Sequence, residues 1–379
     1  MRFSSFLPSS YSTLFVRTLS ISSMCRTFPV IYRKSGQNST CSKSWIHLTC
    51  FVLSLLSELF HIIMFLEWFY VQDDPPLWKS ILMSYFLGCY GFIFVAKCVL
   101  AWRQDETREL IERAVELEKL SSKSHPIRVR VTPVLICVMF LFTTVSLPSV
   151  MFLMALVRPC MPPFFSMSLL ECKSWSSGGG ASVPLRLGIA VFEFITWFTS
   201  LANAVTIGLV GLVVYPPVVE EMWIDVVERE FQNSVSLYST AVKYRIAQSM
   251  SNLHGSVMRK PFMSMIIGGV MMVEITSLYL VINSIHELPT PVAMFFIILA
   301  MDFFVVIHLL FKSLCRPHLA SVELVNKAKM AKRGKWLDKY LKSCVPLELS
   351  MGGGCFFDRL SSFVIWKFCV DQVVNLLVM

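Results

Sequence analysis

The sequence predicts an all-α, polytopic membrane protein of about seven transmembrane helices with cytoplasmic helical extensions. Three observations predict it. Apolar blocks recur at 46–70, 78–102, 131–157, 187–214, 262–285, 292–311 and 356–379, each near the roughly 20 residues a helix needs to cross a bilayer core. The 379 residues are 55% hydrophobic and only 16% charged, against about 25% charged in soluble domains. The basic residues also collect in alternate gaps between the blocks.

A soluble helical protein would need several helices that are apolar all round, and only lipid accepts such surfaces in that number. The formal charge of +9 reports topology, because the surplus sits beside the spans; no nucleic-acid partner is expected. The 12 Cys form no C-x-x-C pair and no zinc spacing, so no metal or other cofactor is expected.

Segment 1–45 carries Arg2, Arg17, Arg26, Arg33, Lys34 and Lys43 and no acid. It reads as a cytoplasmic basic segment, its Pro8 and Pro29 arguing against an amphipathic transit helix. The sequon Asn38-Ser39-Thr40 then faces the cytosol. The loop after span one holds Asp73 and Asp74 and no base, and 286–291 holds only Glu287. Segments 103–130, 216–261 and 312–349 carry seven, five and nine Lys/Arg. Lys/Arg counts set orientation, so these segments are placed inside. The expectation is a multi-pass plasma-membrane protein with a cytoplasmic N-terminus, an extracellular C-terminus and membrane lipid as a partner.

The one long outer loop, 158–184, carries Pro159, Pro162, Pro163 and Gly178 to Gly180, which oppose regular helix. Cys160 and Cys172 can close a small loop there in an oxidising exterior. Phe164, Phe165 and Trp175 either cover a ligand entrance or anchor in the headgroup layer. The inner segments are helical in character. In 104–120, Leu110, Ala114 and Leu117 share a face opposite Glu109, Glu112, Arg113 and Glu116. In 220–246, Trp223, Val227, Phe231, Tyr238 and Val242 follow one helical period. The tail turns basic at Lys332, Arg333 and Lys335. These helices either extend the spans into a cytoplasmic bundle or lie on the anionic inner leaflet.

Ionisable groups at membrane depth are candidates for function. In span one, Glu58 and His61 are three apart and can pair, with Glu67 near water. Lys97 in span two stands where its long side chain can snorkel, and it reads as structural. Pro148 is expected to kink span three. Glu193 and Asn203 mark span four, Glu274 and Tyr279 span five, and Asp302 and His308 span six. Glu193, Glu274, Tyr279 and Asp302 either line a polar ligand pocket or make inter-helix contacts that fix register. Gly208, Gly211, Gly268 and Gly269 permit close helix approach.

The last block, CFFDRLSSFVIWKFCVDQVVNLLVM, carries Asp358, Arg359, Lys367, Asp371 and Gln372. Lys367 and Asp371 are spaced for an i,i+4 pair. Such a helix suits a wet pathway or an oligomer axis, and otherwise lies on the inner surface. The chain has no P-loop, H-E-x-x-H, G-x-S-x-G or dinucleotide fingerprint, and no enzyme is expected. It also lacks a TVGYG filter, a repeated-Arg voltage sensor and paired broken spans.

The layout, with Cys344-Val345-Pro346-Leu347-Glu348, Gly352 and Phe356-Phe357 leading into the last span, resembles the arthropod gustatory and odorant chemoreceptors. Their last-span signature is Thr-Tyr, five mostly apolar residues, then Gln-Phe. Here the window is Ile365-Trp366, KFCVD, Gln372-Val373. The Gln and an aromatic keep their spacing, Thr and Phe are replaced, and Lys367 and Asp371 are added. The resemblance implies a chemosensory ligand-gated cation channel subunit, gustatory in character, in a homo- or hetero-tetramer, taking a small organic ligand among the first six spans. It places Trp366, Lys367, Asp371 and Gln372 at the pore or gate. Two other readings stay open: a G-protein-coupled receptor, which requires the opposite orientation, and a carrier or non-conducting scaffold.

Overall fold

In the computed structural model, the described residues are 11, 45–71, 77–124, 131–161, 163–166, 170, 172, 175, 180, 182–203, 212–233, 237–258, 261–286, 288–330, 339–340, 343–352 and 355–378. Outside them lie most of the 1–45 segment with its sequon, Asp73, Asp74, Pro162, Lys173, Gly178, Gly208, Gly211, Glu287, Lys332, Arg333 and Lys335, and the side chain of Asn203. Among the described residues, seven helices are long and apolar enough to span a membrane. The chain is a multi-pass membrane protein.

Helices α1 (Trp45–Val71) and α2 (Leu77–Trp102) pack together, and α4 (Val131–Val157) packs on α5 (Val183–Asn203). Between them in sequence lies α3 (Gln104–Ser124). Helix α1 shows how the chain separates lipid from core. Glu58, His61, Met64, Phe65 and Trp68 are buried while Leu53, Leu56, Leu59, Ile63 and Leu66 are exposed. Apolar residues on the outer face need no protein partner in hydrocarbon. Pro148 lies inside an unbroken α4.

The remaining elements are α6 (Tyr215–Gln232), α7 (Leu237–Val257), α8 (Phe262–Asn283), α9 (Thr290–Val305), α10 (Phe311–Leu314), α11 (Arg316–Met330) and α12 (Ser361–Val378). A π-turn at Val306–Leu310 joins α9 to α10. Three boundaries differ from the hydropathy blocks. Span four starts at Val183, and the chain after it re-enters at Leu212 in a π-turn leading to α6, whose first turn takes Pro216 and Pro217. Proline is tolerated in a first helical turn because it lacks the N–H that would have no α-helical acceptor there. The helix of span six runs on from Thr290 to Met330. The last span begins at Ser361, because Phe356 belongs to a two-stranded ribbon, β1 (Ser350–Gly352) and β2 (Cys355–Phe356), with Ser350 opposite Phe356.

A local cap explains that start. Asp358 Oδ1 accepts from the Leu360 N–H at 2.9 Å and the Ser361 hydroxyl at 2.7 Å, while the Asp358 N–H lies 2.9 Å from Ser361 Oγ. This Asx-type turn satisfies amides that the helix leaves free. The hydrogen bond from Ser361 holds the Asp358 carboxyl below the usual carboxylate range. A depressed carboxyl gives stability that is present above its unfolded pKa and is lost as pH falls through the folded one. Asp358→Ala is therefore expected to cost about 1 kcal/mol of stability at neutral pH. The deficit should shrink as pH falls through the lowered pKa of Asp358 in the folded chain; thermal midpoints across pH measure it.

At one end of the spans, α3, α6, α7 and α11 form a second bundle. Leu110, Ile111, Ala114, Val115 and Leu117 of α3 face inward, and Glu109, Glu112, Arg113 and Glu116 face out, as the periodicity requires. Tyr215 donates to Glu118 Oε2 at 2.8 Å, joining α6 to α3. The single period expected over 220–246 does not hold, since two helices cover that stretch, one ending at Gln232 and the next beginning at Leu237. Trp223, Val227 and Phe231 are buried, but Tyr238 and Val242 are exposed. Helix α7 has its own phase and instead buries Ala241, Tyr244, Ala247 and Met250.

The segment leading to the last span is stitched into this bundle. Tyr244 and Gln248 donate to the Val345 carbonyl at 3.0 and 2.8 Å, Tyr340 donates to the Ala241 carbonyl at 2.7 Å, and the Leu347 N–H donates to Ser321 at 2.9 Å. Burial pushes the Tyr340 phenol up to about 12, so it remains a donor at any physiological pH.

Candidate functional site

Five membrane helices, α2, α4, α5, α8 and α9, enclose a cavity of about 170 Å³. Its wall is mostly aromatic and aliphatic. Tyr85, Phe92, Phe140, Trp197, Phe295 and Phe303 supply rings, and Leu147, Leu299, Val270 and Met272 fill between them. Gly269 of α8 admits Phe92 closely, since a Cβ there would lie 3.4 Å from its ring, whereas a Cβ on Gly268 would meet nothing within 4 Å. Such a wall suits a small, largely apolar guest, with a few polar groups to orient it.

Three polar side chains reach the cavity: Lys97, Thr143 and Asp302. Asp302 of α9 lies with Oδ2 2.6 Å from the Thr143 hydroxyl of α4, which is also 3.0 Å from the Met139 carbonyl. This contact crosses from α4 to α9 and fixes their register. Lys97 does not snorkel. It is 3% exposed and forms an ion pair with Glu58 of α1, with Ser54 accepting a second bond at 2.6 Å. Ser200 of α5 approaches the same carboxylate oxygen at 3.4 Å. Glu58 thus pairs with Lys97 and not with His61, which instead donates from Nδ1 to the Ser57 carbonyl at 2.7 Å. The partner is on another helix, so sequence spacing alone could not find it.

The other candidates lie apart. Glu193 is fully buried on α5 and accepts from the Phe165 N–H at 2.6 Å, holding the loop after α4 to the bundle. Cys160 and Cys172 are joined as a disulfide in that loop. The loop's aromatics pack down onto the helices: Phe164 is buried, Phe165 meets Phe60 and Phe192, and Trp175 meets Trp68 and Trp78. The Lys79 ammonium stands 4.7 Å from the Trp175 ring centroid. Tyr279 is buried and receives a bond from Asn283 at 3.0 Å. Glu274 is 0% exposed, and neither of its oxygens has a partner among the described residues. Of Glu193, Glu274, Tyr279 and Asp302, only Asp302 lines the cavity.

Helix α12 packs on α8 and on the π-turn after α9. Ile365, Cys369 and Val373 are its buried stripe. Trp366 sits beside this stripe, its ring 5.1 Å from Phe304 and 5.2 Å from His308, and Gln372 is half-buried on the other flank. Lys367, Asp371 and Asn375 recur every fourth residue on the opposite, exposed face. No ion pair joins Lys367 to Asp371 among the described residues. The four residues grouped at the pore by sequence thus divide, two beside the packed face and two on the open one. Asn375 joins the latter, and its i+4 spacing from Asp371 was the available signal.

No protein-family model matches this chain, and no curated protein does. Solved structures do match. The insect olfactory receptor OR5 of Machilis hrabei aligns over 97% of this chain and 99% of its own, with a TM-score of 0.68 at 11% sequence identity. Its complex with eugenol gives the same TM-score and identity, covering 97% of this chain and 98% of that one. The fold is that of an insect olfactory receptor. At this identity the likeness is one of fold: seven spans, the second bundle and a last helix set on α8 and α9.

Proposed function

We propose that this chain is a chemosensory receptor that admits small organic molecules to the cavity among α2, α4, α5, α8 and α9, and acts as a subunit of a ligand-gated cation channel. The cavity carries this reading. It is an aromatic-lined, largely apolar space in a fold shared with a receptor whose structure is known with eugenol. A homo- or hetero-tetramer at the plasma membrane is part of the proposal, with α12 towards the shared axis. The exposed stripe of Lys367, Asp371 and Asn375 supports that placement, since charged groups facing lipid are costly and charged rings suit an aqueous ion path. The gustatory character rests on the Trp366-to-Gln372 window. The positive-inside count puts the N-terminus in the cytosol and the C-terminus outside.

The test is current through the full-length chain in cells or bilayers during application of small aromatic organics. Cation current is expected. Val270→Trp, which fills the cavity, should abolish the response while the protein still reaches the surface. Asp371→Lys should lower cation permeability on the order of tenfold. Ligand binding without current would leave a carrier or scaffold. Current untouched by Asp371→Lys would remove α12 from the pore.

A further inference from the structure

Behind the cavity wall lies a buried polar cluster where α1, α2 and α5 meet. It contains Glu58 and His61 of α1, Tyr90 of α2, and Glu193 and Trp197 of α5, each no more than 5% exposed. The His61 ring stacks on Tyr90 with centroids 4.6 Å apart and planes within 4°, and Tyr90 meets Trp197 edge-on at 5.5 Å. The carboxylates of Glu58 and Glu193 both lie within electrostatic reach of the Tyr90 hydroxyl.

One polar atom on each of these five residues lacks a partner among the described residues: Glu58 Oε2, His61 Nε2, Tyr90 Oη, Glu193 Oε2 and Trp197 Nε1. A buried polar group left unpaired costs about 1–3 kcal/mol, and five in one place favour a guest that pairs them. Their chemistry specifies that guest. His61 Nδ1 faces a carbonyl and so carries the ring proton, which leaves Nε2 an acceptor in neutral imidazole. With the two carboxylate oxygens that makes three acceptors, against the Trp197 N–H and the amphoteric Tyr90 hydroxyl. Lys97 balances the charge of Glu58, whereas Glu193 accepts from the Phe165 amide and forms no ion pair among the described residues. The site wants several hydrogens and one positive charge, and its aromatic faces attract cations as well.

Lys97 and Trp197 border both this cluster and the apolar cavity. We infer that the cluster binds the ammonium group of a small primary amine whose apolar body occupies the cavity, with Glu193, His61 and Tyr90 as the ammonium's partners. The inference rests on the cavity being a ligand site, as proposed above.

Three probes of one shape test it: 2-phenylethylammonium, 2-phenylethanol and ethylbenzene, titrated against the purified full-length chain in nanodiscs with tryptophan emission as readout. The ammonium should bind about 10- to 100-fold tighter than ethylbenzene, a charged hydrogen bond being worth about 1.5–3 kcal/mol, with the alcohol between them. Glu193→Gln keeps the acceptor for Phe165 and Tyr90→Phe keeps the stacked ring. Each should cut the ammonium preference to below about threefold and leave ethylbenzene unchanged. Glu112→Gln, on the exposed face of α3, should leave the preference intact. Equal binding of ammonium and ethylbenzene overturns the inference but keeps the cavity reading. So does a preference lost in Glu112→Gln and kept in Glu193→Gln. Binding of none of the three overturns both.

Discussion

Lys97→Met is expected to cost the folded chain about 3–5 kcal/mol, the usual consequence of removing one member of a buried ion pair. The cost comes from what remains. Glu58 is 1% exposed, and without Lys97 its carboxylate keeps only the Ser200 hydroxyl at 3.4 Å in a medium too apolar to solvate a charge. The Lys97 stem also forms part of the cavity wall, and Met preserves most of that volume, so the loss reports charge and not packing. The measurement is the thermal midpoint of detergent-solubilised protein by size-exclusion fluorescence. Combining Lys97→Met with Glu58→Gln should recover most of the deficit, because the stranded charge is removed with its partner. If the single variant melts like the parent, Lys97 reaches the interface after all and the pair is incidental.

That pair also marks where the sequence stopped being readable. The spans and the face of α3 follow from periodicity, because the solvent on each side of a helix dictates residue type at 3.6-residue intervals. The Leu110–Ala114–Leu117 face came out directly for that reason. Partnership between helices carries no such period. Glu58 found Lys97 one helix away, while the local candidate, His61, turned to its own backbone. The same holds for the cavity. Trp197, Phe295 and Phe303 are ordinary apolar residues in ordinary apolar helices, and only the packing of five spans brings them around one space. Charge drew attention to Glu193, Glu274 and Asp302, yet charge alone does not tell a cavity wall from a loop tether. The change of phase between α6 and α7 hid for a further reason: Tyr238 and Val242 fit the period of α6 by coincidence, although they belong to α7.

Glu274→Leu should stabilise the protein, against the usual direction for a buried substitution. Glu274 is fully buried near the middle of α8, with both carboxylate oxygens unpartnered among the described residues, and the neighbouring Ser277 hydroxyl is equally without a partner. It is close enough to Cys369 of α12 to act on it electrostatically. A carboxyl in that setting meets the desolvation cost with no hydrogen bond to offset it, and an apolar group of similar size removes the cost. The gain should be about 1–3 kcal/mol, read as a higher thermal midpoint. Glu274→Gln, which retains two polar atoms, should change little, and Glu274→Ala should forfeit the gain through the space it leaves. A carboxyl kept at such a cost between α8 and α12 is best explained by activity, since local rules are broken most often where function needs it. Glu274→Leu is therefore expected to bind ligand normally while opening poorly. A variant that is both more stable and fully responsive would reduce Glu274 to an accident of packing. A variant that is less stable would mean that its oxygens are satisfied by buried water.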